Sequence, residues 1–156
     1  MESVTMQIDT RRFGTITVAD NEQFEVPDGI PGFRSMRRVV LFAAPQVDPD
    51  DQAMFWIQDL DNGELAFLCI VPWDVFPNYD VEIDEEEYEI ERDSDVRILN
   101  LVSVRRNGEN TLLTANLRAP LVIDVRRRRM HQVILTDGRW SVHQPVAAPS
   151  AVSGAR

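Results

Sequence analysis

Short runs of alternating apolar and polar positions, or of clustered β-branched and aromatic residues, dominate the chain. Residues 15–18 alternate, and seven further runs at 38–43, 53–57, 65–71, 96–105, 112–117, 121–125 and 133–135 have strand composition. No stretch of ten residues carries the 3.6-residue period of an amphipathic helix. Asn62-Gly63, Asn107-Gly108 and Asp137-Gly138 stand at junctions between such runs, and these pairs tolerate the positive φ of a tight hairpin. Strands without crossover helices pair antiparallel, so the pattern predicts an all-β fold, a single antiparallel barrel-like domain with at most one short helix.

That helix belongs near residues 84–89. Asp84 is a capping residue with Glu87 three positions on, and acids suit a helix start. Tyr79, Val81 and Ile83 alternate as a strand does, which predicts a strand to Ile83 and then a single helical turn. Pro27, Gly29, Pro31 and Gly32 predict a double turn that directs Ile30 and Phe33 into the core. The last residues lack periodicity and large apolar groups, so the domain is set at 5–144 and 145–156 is expected to be a disordered tail.

Composition narrows the classes. The chain has 156 residues, 44% of them hydrophobic, which is one ordinary domain. Its longest apolar run, residues 65–71, is far short of a membrane helix, and no basic start followed by an apolar stretch marks an export signal. Cys69, the single cysteine, excludes an intrachain disulfide and a multi-cysteine zinc site. Neither a membrane nor a cofactor is expected, and the default compartment is cytoplasmic.

Charge adds more. Residues 1–96 hold 23 acids against 6 arginines, whereas 97–156 hold 3 acids against 10 arginines, for a net −10. Such a protein repels nucleic acid at long range and attracts basic partners. Ten acids against one arginine fall between Asp80 and Asp95. Their plain reading is a solvated face, and their functional reading is a surface for a cationic protein. The opposite run, Arg126, Arg127, Arg128 and Arg129, is a phosphate-binding candidate that lacks interleaved stacking aromatics. It supports a runner-up reading as a small RNA-binding module, although net charge predicts no direct nucleic-acid binding.

Catalytic patterns are missing. His131 and His143 are separated by eleven residues and are expected on different strands, Cys69 lies in the most apolar run, and no nucleophile elbow, zinc motif or phosphate loop occurs. The stretch from Asp59 to Gly63 opens like a calcium loop, but its glycine falls one place early. A hydrolase using two carboxylates of 80–95 is the third reading, and it lacks a positioned nucleophile.

Several segments resemble the flagellar assembly factor FliW family. They are the stretch from Phe24 to Phe33 with its Ile-Pro-Gly-Phe ending, Gly-Glu-Leu-Ala-Phe at 63–67, Thr-Ala-Asn-Leu-Arg-Ala-Pro-Leu-Val-Ile at 114–123, and His-Gln-Val-Ile-Leu at 131–135. Val71-Pro72 stands where members often have Asn-Pro, and the arginine run replaces a polar loop. The resemblance implies a non-enzymatic cytoplasmic protein with two partners: the basic RNA-binding regulator CsrA, whose repression of flagellin translation it relieves, and flagellin itself. Expected contacts with CsrA are Asp80, Glu82, Asp84, Glu85, Glu86 and Glu87. For an apolar flagellin segment they are Trp73 and Phe76, beside Val75, in the loop after Pro72. Asn116, Arg118 and Pro120 are expected at a sheet edge or bulge open to a partner, because proline cannot serve a central ladder.

Overall fold

The computed structural model describes residues 4–45 and 53–146. They form eleven strands: β1 (Thr5–Thr10), β2 (Gly14–Ala19), β3 (Phe24–Glu25), β4 (Arg38–Ala43), β5 (Met54–Asp59), β6 (Ala66–Ile70), β7 (Val96–Asn107), β8 (Asn110–Ala115), β9 (Leu121–Asp124), β10 (Arg129–Gln132) and β11 (Gln144–Val146). Short 3-10 turns lie at Asp20–Glu22 and Pro72–Asp74, and the described residues include no α-helix. The all-β expectation agrees with this.

Strands β4, β5, β6 and β7 pair antiparallel in sequence order; β3, β10 and β9 continue from β4, and β9 pairs with β7 to close a ring of seven. A single parallel pair, Arg129 with Glu25, joins β10 to β3. The ring interior is filled by Phe24, Val26, Val39, Ile57, Cys69, Leu121, Ile123 and Met130. Burial pushes the Cys69 thiol pKa up, which keeps it protonated and inert.

β7 is long enough to serve two layers. Its first third, Val96 to Leu99, pairs with β9 in the barrel wall, whereas Val102 to Asn107 pairs with β8. Residues 116–120 carry the chain from β8 to β9 along the same side of β7, and the Asn116 amide still donates to the Leu101 carbonyl. Outside the barrel wall, a second core of Ile70, Tyr79, Leu113, Leu117, Val122, Val133 and Val146 lies beneath the segments that follow Pro72 and β10. A third cluster, Val18, Val40 and Leu60, seats the β1–β2 hairpin.

Several local expectations change. Tyr79, Val81 and Ile83 do alternate inward, but no strand pairs with them, because the second core rather than a ladder holds them in place. The strand expected at 133–135 is displaced: β10 starts at Arg129, and Val133 and Leu135 donate singly to the carbonyls of Pro120 and Arg118. Of the three Asn/Asp-Gly pairs only Gly108 has positive φ, +62°. Gly63 is required for another reason, since a Cβ there would overlap the Asp9 carbonyl where the first hairpin docks. Gly29 and Gly32 take φ of +66° and +88° as expected, and Ile30 is buried. Phe33 is instead 40% exposed, lying edge-on against Phe67. The expected disorder of the tail fails at its first residues: Pro145 and Val146 pair with Thr114 and Leu113, because Val146 has an apolar seat in the second core. The remainder of that tail, 147–156, lies outside the described residues.

Candidate protein-binding surface

The geometry of the acidic segment starts from the backbone. Asp84 Oδ1 accepts the amides of Glu86 and Glu87, each at 3.1 Å, which caps one helical turn at its start. The turn ends with the Ile90 amide donating to the Glu85 carbonyl and the Glu89 amide to that of Glu86, a Schellman closure. Glu89 therefore takes the left-handed conformation that glycine usually supplies, with φ +56°. Val81, Ile83, Tyr88 and Ile90 pack toward the second core, leaving Asp84, Glu85, Glu86 and Glu87 exposed.

Counter-ions divide this segment in two. Arg127 reaches Asp93 at 2.8 Å, Glu91 at 3.3 Å and Asp124 at 3.2 Å, while Arg129 reaches Glu89 at 2.7 Å and Arg126 reaches Asp93 at 3.8 Å. Ser94 Oγ donates to Asp124 and accepts from Arg127, tying the knot further. Burial raises the Asp124 pKa, but hydrogen bonds from Ser94 and Arg127 outweigh it and the net direction is down. Arg128 makes no ion pair among the described residues; its guanidinium lies 3.8 Å above the Phe24 ring and donates to the Gln23 carbonyl. Of the run weighed as a phosphate-binding candidate, Arg127, Arg128 and Arg129 are thus engaged by the chain's own groups, while Arg126 stays mostly exposed. By contrast, Asp84, Glu85, Glu86 and Glu87 have no ion-pair partner among the described residues. Asp80 and Glu82 are also exposed but border a recess with Arg139, whose pKa their charges help raise after the larger effect of Asp137.

Trp73 and Phe76 part company. Trp73 is 41% exposed at the rim of a mainly apolar cleft of ≈ 560 Å³, its indole donating to the Tyr79 carbonyl. Phe76 and Val75 fold back against the second core. The 116–120 segment is less open than its proline suggests. Pro120 is buried just ahead of β9, and Asn116 Oδ1 accepts the Ala119 amide at 3.0 Å, so of the three only Arg118 points into solvent. Proline is tolerated there because it precedes the ladder, not because the edge is free.

Two features lie outside the strand and motif pattern. Arg127, Arg129, Glu89 and Asp93 form a clasp across more than thirty residues, and their opposite charge runs are the signal that links them. His131 is half-buried beside Tyr88, with Nδ1 3.5 Å from Asp28 Oδ2 and both ring nitrogens without a hydrogen bond among the described residues. Among the described residues no cluster of three or more His, Cys, Asp or Glu side chains is arranged to hold a metal ion. No helix among them is long and apolar enough to cross a membrane.

The sequence matches the FliW protein family over residues 7–146. The chain belongs to the FliW family. The flagellar assembly factor FliW of Treponema denticola is 31% identical over 152 residues, covering 96% of this chain and 99% of the relative. That of Syntrophus aciditrophicus is 35% identical over 144 residues, covering 90% and 87%. A crystal structure of the flagellar assembly factor FliW superposes with a TM-score of 0.78 at 27% identity, covering 92% of this chain and 98% of that one. The seven-strand ring is therefore the FliW fold.

Proposed function

We propose that this FliW chain serves flagellar assembly as a non-catalytic binding protein in the cytoplasm. It takes the basic regulator CsrA on its acidic turn, relieving repression of flagellin translation, and takes flagellin as a chaperone-like client. The observation that carries the first half is the capped turn whose four consecutive carboxylates, Asp84 to Glu87, are exposed and have no counter-ion in the described chain. Fixed negative charge without an internal partner attracts a cationic surface and repels the phosphates that surface otherwise binds. The half-exposed Trp73 supports the client role, since an apolar segment needs an apolar seat. The RNA-binding alternative is disfavoured, because phosphate would have to displace the clasp around Arg127 and Arg129.

The test is to immobilise the purified protein and titrate purified CsrA, flagellin and a flagellin-leader RNA separately. Saturable binding of the two proteins and none of the RNA is expected. RNA binding without CsrA would replace this function by the alternative.

A further inference from the structure

The β6–β7 ladder stops early. Ile70 pairs with Asn100, and the next residues of β6 would run beside Leu99 to Val96; Pro72 instead turns the chain away into the 3-10 turn Pro72–Asp74. β9 occupies the other side of Val96 to Leu99, on the same side of β7 as β8. Along the β6-facing side of these four residues no backbone hydrogen bond is made among the described residues. The cleft of ≈ 560 Å³ opens at this gap, and eleven of its twelve lining residues are apolar. Leu41, Phe55 and Ile123 form its floor inside the barrel, Val71 and Trp73 one wall, and the bare edge of β7 the other. Arg97 is the one charged side chain that lines it.

The geometry points to a strand-addition site: the cleft receives an extended apolar segment of a partner protein, which pairs with the Val96–Leu99 edge of β7 and places a carboxylate opposite Arg97. Open apolar walls alone would suit a lipid-like amphiphile as well. A bare strand edge calls for main-chain donors and acceptors, which a hydrocarbon chain lacks and a peptide carries at every residue. The exposed Arg97 guanidinium, forked onto Asp95 at 3.0 and 3.4 Å, sets the sign of the charge the segment brings, and the segment's carboxylate would share it with Asp95. Four residues of edge span roughly 13 Å, enough for a short strand and too little for a second sheet. The inference rests on the reading of this chain as a protein-binding assembly factor, and it specifies that the segment entering the cleft is extended rather than helical.

The probe is a synthetic peptide of about eight residues alternating valine and threonine with one glutamate, capped at both ends. Beside it are the same peptide N-methylated at alternate amides, the same peptide with glutamine for glutamate, and dodecanoate. Amide exchange at Val96 to Leu99 and Trp73 fluorescence are read together. The unmodified peptide is expected to shift the Trp73 emission and slow exchange at the edge, the N-methylated one to bind about tenfold more weakly, and Arg97→Gln to abolish the preference for glutamate over glutamine. Binding of dodecanoate alone, equal binding of the N-methylated peptide, or failure of every probe overturns the inference. CsrA and flagellin titrated on the same sample separate the two claims. If they bind while the peptide does not, only this inference fails; if the peptide binds and they do not, only the proposed partners fail.

Discussion

The Arg127 guanidinium lies 2.8 Å from the Asp93 carboxylate, joining the hairpin between β9 and β10 to the end of the acidic segment. Because Asp124 and Ser94 share the same guanidinium, the arginine run acts as a clasp on the segment that presents the acidic turn. Arg127→Ala is expected to lower the melting temperature by a few degrees. It should also speed amide exchange at 88–91 while leaving the barrel strands protected. Arg127→Lys should recover only part of this, since an ammonium cannot form the same fork. Unchanged exchange at 88–91 would show that Tyr88 and Ile90 suffice to hold the turn.

The pH profile follows from opposite shifts. Asp93, through its hydrogen bond from Arg127, and Asp124, through the balance described above, have lowered pKa values. Their stabilising contribution is present above the unfolded value of about 3.9 and is lost as pH falls through the lower folded values. Asp59 is shifted the other way: burial raises its pKa beyond what the Asp61 amide and Arg38 offset. Ionised Asp59 thus costs stability at neutral pH, and the protein gains stability as pH falls through the raised folded value toward the unfolded one. Asp59→Asn should raise the melting temperature at pH 7 and remove this gain, whereas Asp124→Asn should weaken the steep loss below about pH 4. Melting curves of the three proteins from pH 3 to pH 8 check both signs.

Gly63→Ala is expected to be costly and Gly138→Ala nearly neutral. The first places a methyl group on the Asp9 carbonyl, whereas nothing lies within 4 Å of the second. Because Arg11 donates its amide to Gly63 at 2.9 Å, the damage should appear as loosening of β1 and β2. Limited proteolysis near Phe13 reads it directly.

Tyr79→Phe tests the second core. The Tyr79 hydroxyl donates to the Leu117 carbonyl and accepts from Asn100, and the residue is 4% exposed. Losing it strands one buried acceptor and weakens one donor, for about 1–3 kcal/mol by urea denaturation. A smaller change would mean that water replaces the hydroxyl.

Neutralising Glu85, Glu86 and Glu87 to Gln should slow association with CsrA, flatten its salt dependence and leave dissociation and the melting curve nearly unchanged. The carboxylates make no ion pair among the described residues, and the turn is held by the Asp84 side chain, which the triple variant retains. Equal association rates at low salt would leave these acids a solvated face and move attention to Arg118.

The local pattern of the chain determined its strands wherever a run was long enough to carry its own signal, as at Arg38–Ala43 and Leu121–Asp124, and the tight turn at Asn107-Gly108. It also determined that acids and arginines would be concentrated in separate runs, and that proline at 72 would end a strand. β3, β10 and β11 carry no continuous apolar run like that of β9 and were not legible, because what makes them strands is the partner beside them. The role of the arginine run was not legible either. Apart from Asp124, its carboxylate partners lie more than thirty residues away, and only closure of the barrel brings Asp93 and Glu89 within 3 Å of a guanidinium. Tertiary structure likewise decided that Pro120 is buried and Trp73 half exposed, and that the β6-facing side of Val96–Leu99 has no strand partner among the described residues, since burial and pairing depend on which surfaces meet and not on the residue alone.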